Sequence, residues 1–90
     1  MNEKILDGRC MTSRARAHGY IAGVLDLPVW YGANLDALAD CLGELGPGTV
    51  VTLTHASAMR EALGPYAPRL ERVFEDLSGS AGFLWYERED

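Results

Sequence analysis

Three carboxylates, Asp36, Asp40 and Glu44, recur every four residues near the middle of the chain. On a helix this spacing puts them on one face, where each like-charged pair destabilises the helix by ~0.2–0.5 kcal/mol. No lysine or arginine occurs between Ala17 and Met59, so no cation in the local sequence offsets these charges. Many charged helical faces are only solvated surface, but a face of one sign favours a binding site for a basic partner.

Two aromatic residues directly precede the acidic segment, in the run Trp30-Tyr31-Gly32. Aromatic side chains are common anchors of protein interfaces, and they also cover the cores of small domains, so both interpretations stay open for either ring. Gly32 is expected to adopt a backbone conformation that a side chain would oppose. Asn34 follows as the predicted N-cap of the acidic helix.

The elements that must hold these residues follow from the spacing of apolar side chains. A first helix is predicted from a cap at Thr12 or Ser13 to a stop at Leu27-Pro28. The acidic helix is predicted to run from Asn34 to Gly46-Pro47-Gly48. A stripe of leucines is expected to bury its other face: Leu35, Leu38, Leu42 and Leu45.

The second half of the chain repeats this alternation of strand and helices. Strands are predicted at residues 3–6, 49–54 and 82–86, where β-branched and aromatic residues stand between turn signals. Ser57 is expected to cap a short helix, and a further helix is expected to close near Ser78-Gly79. The order β-α-α-β-α-α-β predicts an α/β fold with a small parallel sheet. Core or core-edge positions are expected for the remaining aromatic residues: Tyr66, Phe74, Phe83, Trp85 and Tyr86.

Composition limits the classes of protein that fit. Ninety residues with 48% hydrophobic content predict one domain over residues 1–90. The net charge of −5, four units of it in the middle segment, disfavours nucleic acid as a partner. Cys10 and Cys41 form no metal-binding motif and fit either free thiols or a disulfide. No apolar run approaches the ~18 residues of a membrane span, and Met1–Gly8 lacks a signal-peptide core, which predicts a cytoplasmic protein.

Residues 27–42 read LPVWYGANLDALADCL and resemble the LPxYYGxNLDALWDCL segment of the barstar family, intracellular inhibitors of barnase. A weaker likeness extends over nearly the whole chain, and residues 73–76 fall where the family carries a Val-Phe-basic-Glu stretch. The resemblance implies a three-stranded parallel sheet flanked by helices. It also implies that the acidic helix and its preceding loop insert into the cleft of a ribonuclease.

The resemblance implies roles for individual residues. Asp40 would stand where the substrate phosphate binds, and Asp36 would make a second helical contact. Trp30 replaces a family tyrosine, Ala33 a glutamate and Ala39 a tryptophan of the contact region, while Asp76 is one methylene shorter than the family's glutamate. The expected partner-binding residues are Trp30, Tyr31, Gly32, Asn34, Asp36, Ala39, Asp40 and Asp76.

The expected partner is a basic secreted ribonuclease of the barnase-like, guanyl-specific type. The protein is expected to be a monomer when free and to form a 1:1 complex, without cofactor, metal, membrane or catalytic residues. Two alternatives stay open: an acidic adaptor for a basic protein that is not a nuclease, and a metal-dependent hydrolase that uses Asp36 and Asp40. His18 and His55 are predicted to be surface or cap residues rather than bases.

Overall fold

The computed structural model describes residues 2–89. Within them, β1 (Asn2–Asp7), β2 (Thr49–Thr54) and β3 (Leu84–Glu87) form one parallel sheet in the order β1-β2-β3. All six residues of the central strand β2 are buried. β2 lies between β1 and β3, and it carries no charge, as expected for a strand whose residues are all buried.

Two helices connect each strand to the next. α1 (Arg14–Leu25) and α2 (Leu35–Leu42) lie between β1 and β2, and α3 (Ala56–Leu63) and α4 (Tyr66–Ala81) lie between β2 and β3. A single 3-10 turn at Gly8–Cys10 separates β1 from α1. The predicted element order and the α/β class with a parallel sheet are confirmed. Among residues 2–89, no helix combines the length and the apolar character that crossing a bilayer would require.

The core lies between the helices and one face of the sheet. The strand register puts Val51 beside Trp85, whose ring stacks on Phe74 of α4 at a centroid distance of 4.5 Å. Truncation of a buried phenylalanine to alanine costs ~3–5 kcal/mol, so this contact is a main support of the sheet. Tyr86 points to the opposite face and is 53% exposed. Its predicted core-edge position is therefore wrong, because the neighbouring Ile5 on that face is also open to solvent.

Ser13, rather than Thr12, begins α1, since its Oγ accepts a hydrogen bond from the Arg16 amide at 3.2 Å. The helix ends at Leu25, before the predicted stop at Leu27-Pro28. Asp26 causes this earlier end by adopting a left-handed backbone conformation with φ of 55°.

The predicted end of the acidic helix at Gly46-Pro47-Gly48 is wrong. α2 ends at Leu42, and Gly43 is its C-cap. The next two amides bond to carbonyls three residues back, a tighter turn that is typical of helix ends. Glu44 therefore lies beyond α2, and the predicted row of three helical carboxylates is reduced to its first two members.

Both later helices differ from prediction at one end. Ser57 is not the N-cap of α3: that position belongs to His55, whose side chain makes no capping bond, and the Ser57 amide instead donates to Glu89 Oε1 at 3.1 Å. α4 continues past Ser78-Gly79, because Gly82 supplies the left-handed C-cap at φ of 89°.

Candidate protein-binding surface

Asp36 and Asp40 both lie on the exposed side of α2. In the described part of the chain neither carboxylate forms an ion pair. On the other side of the helix, Leu38 and Leu42 are completely buried and fix α2 to the core. We call Asp36 and Asp40 the acidic face. Because its backbone is already ordered, it loses little conformational entropy on meeting a partner.

Asn34 organises the start of α2, as the sequence predicts. Its Oδ1 accepts a hydrogen bond from the Ala37 amide at 2.8 Å, and its Nδ2 donates to the Gly32 carbonyl at 3.3 Å. An N-cap of this kind stabilises a helix by ~0.5–2 kcal/mol relative to alanine. The same side chain therefore begins the helix and shapes the turn before it.

In the loop before α2, the strained backbone position is Ala33, not Gly32. Ala33 has a φ of 53°, whereas Gly32 is not among the residues with positive φ, so the predicted unusual conformation of Gly32 is wrong. Glycine at position 32 instead avoids a tight contact with the cap. A Cβ atom there would lie 3.3 Å from Asn34 Nδ2, and a side chain would press on the cap.

The loop before α2 presents two apolar side chains to solvent. Trp30 is 73% exposed and the neighbouring Val29 is 104% exposed. Exposed large apolar side chains that adjoin one another are typical of binding surfaces. We call residues 29–34 the binding loop. Val29 was missed by sequence reasoning because a single valine beside a proline carries no distinctive signal.

Tyr31 turns inward, unlike Trp30, and meets a buried histidine. His18 Nδ1 is hydrogen-bonded to Tyr31 Oη, and His18 Nε2 lies 2.7 Å from Tyr66 Oη. His18 is only 2% exposed, so its prediction as a surface or cap residue is wrong. Burial lowers the pKa of His18 and raises that of Tyr31, which keeps both side chains neutral at pH 7.

Two arginines stand near the acidic face although the local sequence contains none. Arg14 and Arg69 line the same surface groove as Asp36, between the amino-terminal ends of α1, α2 and α4. Their guanidinium carbons lie 4.6 Å and 5.7 Å from the centroid of the Tyr66 ring. Neither arginine forms an ion pair with a described carboxylate. The acidic face therefore has a cationic border on one side.

Asp76 lies on α4, the helix that packs against α2. The two helices pack together, and a Cβ atom on Gly43 would meet Leu77 Cδ1 at 3.9 Å. Asp76 precedes Leu77 and is exposed. Ala39 is half-buried on α2 and leaves no bulky side chain between the two aspartates of the acidic face.

The chemistry available here is charge recognition. Cys41 lies beside Asp40 but is buried, and burial, together with the charges of Asp40 and Glu44, raises the pKa of its thiol. Cys10 and Cys41 are both free thiols, so the disulfide left open by the sequence is not formed. Among residues 2–89, no three His, Cys, Asp or Glu side chains form a group that could hold a metal ion.

A protein-family model described as Barstar (barnase inhibitor) matches residues 1–88. The chain belongs to the barstar family, which confirms the resemblance carried by residues 27–42. Among individual proteins, it is similar to "Putative ribonuclease inhibitor YrdF" of Bacillus subtilis (strain 168). The two are 34% identical over 77 residues, a match that spans 84% of this chain and 85% of that protein.

Proposed function

We propose that this protein inhibits a basic ribonuclease by covering its active-site cleft with α2 and the binding loop. The observation that carries the proposal is the acidic face: two exposed carboxylates that form no ion pair within residues 2–89, on a helix whose other side is buried and whose preceding loop exposes Trp30. Membership in the barstar family and similarity to a protein named as a ribonuclease inhibitor support this function.

The proposed mechanism is replacement of substrate phosphates by carboxylates. A ribonuclease cleft must be cationic to hold RNA, and a carboxylate accepts strong, often bidentate hydrogen bonds from arginine. In this mechanism Asp40 takes the position of the substrate phosphate, and Asp36 makes a second contact one turn earlier. Repulsion between these two aspartates is offset when the partner supplies cations.

The other expected contacts surround this pair. Trp30 packs over the catalytic groups of the enzyme, the backbone at Gly32 and Asn34 follows the rim of the cleft, and Asp76 adds a peripheral charge. Tyr31 contributes a contact with the enzyme at the base of the binding loop. Ala39 replaces a large family side chain, so the cognate enzyme is expected to fill this space with a bulkier residue of its own.

We further propose a secreted, guanyl-specific ribonuclease of the barnase type as the partner, bound 1:1 by a protein that is monomeric when free. Its site of action would be the cytoplasm, where it protects the cell that makes the nuclease. The two free thiols, Cys10 and Cys41, fit a reducing compartment.

The test is a titration of the protein into a panel of small microbial ribonucleases while RNA cleavage is followed. We expect the activity of at least one guanyl-specific enzyme to fall to zero at an equimolar ratio. Tight binding to a basic enzyme without loss of activity would identify an acidic adaptor instead. Failure to bind every member of the panel would contradict the proposal.

A further inference from the structure

A single buried imidazole joins three separate segments of the chain. His18 belongs to α1, and its two ring nitrogens are hydrogen-bonded to hydroxyls of the binding loop and of α4, those of Tyr31 and Tyr66. At 2% exposure His18 cannot make substantial contact with a partner protein itself. Any effect that it has on binding must pass through one of these two tyrosines.

Besides the packing of the Tyr31 ring against the core, the binding loop makes few other hydrogen bonds to the body of the protein. The Tyr31 amide bonds to the Pro28 carbonyl, and Asn34 Nδ2 bonds to the Gly32 carbonyl, but both bonds are internal to residues 28–34. For residues 28–33 of the described chain, the bond between Tyr31 and His18 is the one side-chain hydrogen bond to α1, α3 or α4. Exposed Val29 and Trp30 depend on this anchor for a defined position.

We propose that His18 is a positioning residue that holds the binding loop in its partner-competent conformation through Tyr31. The inference rests on the proposed inhibitor function. Loss of the bond leaves the loop among several conformations, and the apparent affinity falls in proportion to the competent fraction.

The surroundings of His18 favour a neutral ring. A neutral imidazole has one donor and one acceptor, so one tyrosine hydroxyl donates to it and the other accepts from it. The charged groups that line the groove with His18 are Arg14 of α1, Arg69 of α4 and Asp36 of α2, with cations in the majority. A proton on His18 would add a further cation and remove the acceptor that one hydroxyl uses.

Replacing His18 by asparagine or by glutamine distinguishes the contributions of its two hydrogen bonds. The side-chain amide of asparagine overlaps the position of Nδ1, which serves Tyr31, and that of glutamine overlaps Nε2, which serves Tyr66. We expect His18→Asn to keep the Kd for the ribonuclease within about threefold of wild type, and His18→Gln to raise it about tenfold. Tyr31→Phe should match His18→Gln, and combining these two should add little further loss.

Ile21→Val is the control, because it removes one buried methylene from the same helix without touching the hydrogen bonds. It should lower the melting temperature and leave Kd unchanged. Equal affinity of all the variants, or weaker binding by His18→Asn than by His18→Gln, would overturn the proposal. If the His18 variants do not fold, Tyr31→Phe is tested in the free protein, where the fluorescence anisotropy decay of Trp30 should show a more mobile ring than in wild type, and unchanged mobility would overturn the proposal. Absence of binding by the wild-type protein would refute the inhibitor function, a separate result.

Discussion

Two groups of carboxylates in this protein differ in whether a cation accompanies them. Where α3, α4 and β3 meet, Arg60 lies 2.8 Å from Glu71, 2.5 Å from Glu87 and 3.9 Å from Glu89. We call these four residues the Arg60 cluster. Within the described residues 2–89, the acidic face on α2 forms no ion pair with a cation, although it also consists of carboxylates.

This comparison distinguishes carboxylates that stabilise the fold from carboxylates that are available to bind a partner. The Arg60 cluster joins three elements, and the Glu71 side chain is only 10% exposed, so its charge is neutralised as the chain folds. The acidic face is open to solvent and gains nothing comparable from folding. Each group should therefore affect one property, stability or binding, and leave the other nearly unchanged.

The largest expected effect is the loss of binding on Asp40→Ala. Removing a desolvated carboxylate that faces cations should raise Kd by more than about 30-fold, or ~2 kcal/mol. The melting temperature should stay the same or rise slightly, since a like-charged neighbour is gone. Titration calorimetry and thermal melting on the same preparation measure both properties.

Glu44→Ala is the matched control for Asp40→Ala, because it removes the same charge from a position beyond α2. Its Kd should stay within about twofold of wild type. The phosphate-replacement mechanism is contradicted if Asp40→Ala binds the ribonuclease within about threefold of wild type, which is less than ~1 kcal/mol.

The converse prediction is a loss of stability without loss of binding on Arg60→Ala. The variant leaves Glu71 buried without its cation. Arg60 is 49% exposed, so we expect a cost of about 2 kcal/mol in the free energy of unfolding, between the values for exposed and buried pairs. Urea denaturation measures it. Arg72→Ala, which removes an exposed arginine of α4, should cost less than about 0.5 kcal/mol. A change in Kd for Arg60→Ala would show that the two groups are coupled.

Added salt should slow the association of the protein with its ribonuclease, because salt screens the charge of the acidic face. Uncompensated charge attracts a basic partner over the screening length, ~10 Å at 0.1 M salt. We expect the association rate constant to fall about tenfold between about 20 mM and about 500 mM salt, with a smaller change in the dissociation rate. Stopped-flow fluorescence can follow this reaction. A rate constant that does not depend on salt would rule out electrostatic steering.

The smallest expected effect is a change in the pH dependence of stability on Glu87→Gln. Burial and the neighbouring Glu71 raise the pKa of Glu87 from 4.5 to about 7, despite the contact with Arg60. Folded Glu87 therefore holds its proton more tightly than the unfolded chain does. Its contribution to the free energy of unfolding is complete below pH 4.5 and is lost as pH rises through about 7.

Glu87→Gln should remove this decline between about pH 5 and about pH 8. His18 has the opposite sign, since its lowered pKa removes stability as pH falls below 6.5. Comparing urea denaturation of the variant with wild type at each pH cancels the His18 contribution. Glu89→Gln, at an exposed position of the cluster, should keep the wild-type profile, and an unchanged profile for Glu87→Gln would contradict the assignment.

Local patterns in the sequence predicted most of the fold. The boundaries of β2 are those expected from its β-branched run, and Asn34 caps α2. The end of α2 could not be predicted from spacing, because Leu45 continues the leucine stripe while the backbone has already turned at Gly43. The acidic face and its motif are visible in the sequence, although their contacts with a ribonuclease stay predictions.

Contacts between residues that are distant in the sequence could not be predicted, because they leave no local sequence pattern. His18 bonds to tyrosines that lie 13 and 48 positions away, and Arg60 reaches Glu71 on another helix. A histidine with glycine and alanine neighbours resembles many exposed positions, and its burial depends on how the fold brings Tyr31 and Tyr66 against it. Only the folded chain shows that the binding loop has an anchor.

The order in which the chain is synthesised also matters to this fold. His18, Tyr31 and α2 leave the ribosome first, whereas Tyr66 belongs to α4, and β3 follows later still. A nascent chain that ends after α2 therefore contains both partners of the anchor and the acidic face, but it lacks the core residues Leu70 and Phe74 that α4 supplies. If the protein inhibits a ribonuclease as proposed, protection would begin only when translation of the inhibitor has passed α4, so the speed of that translation would limit how early the nuclease is blocked.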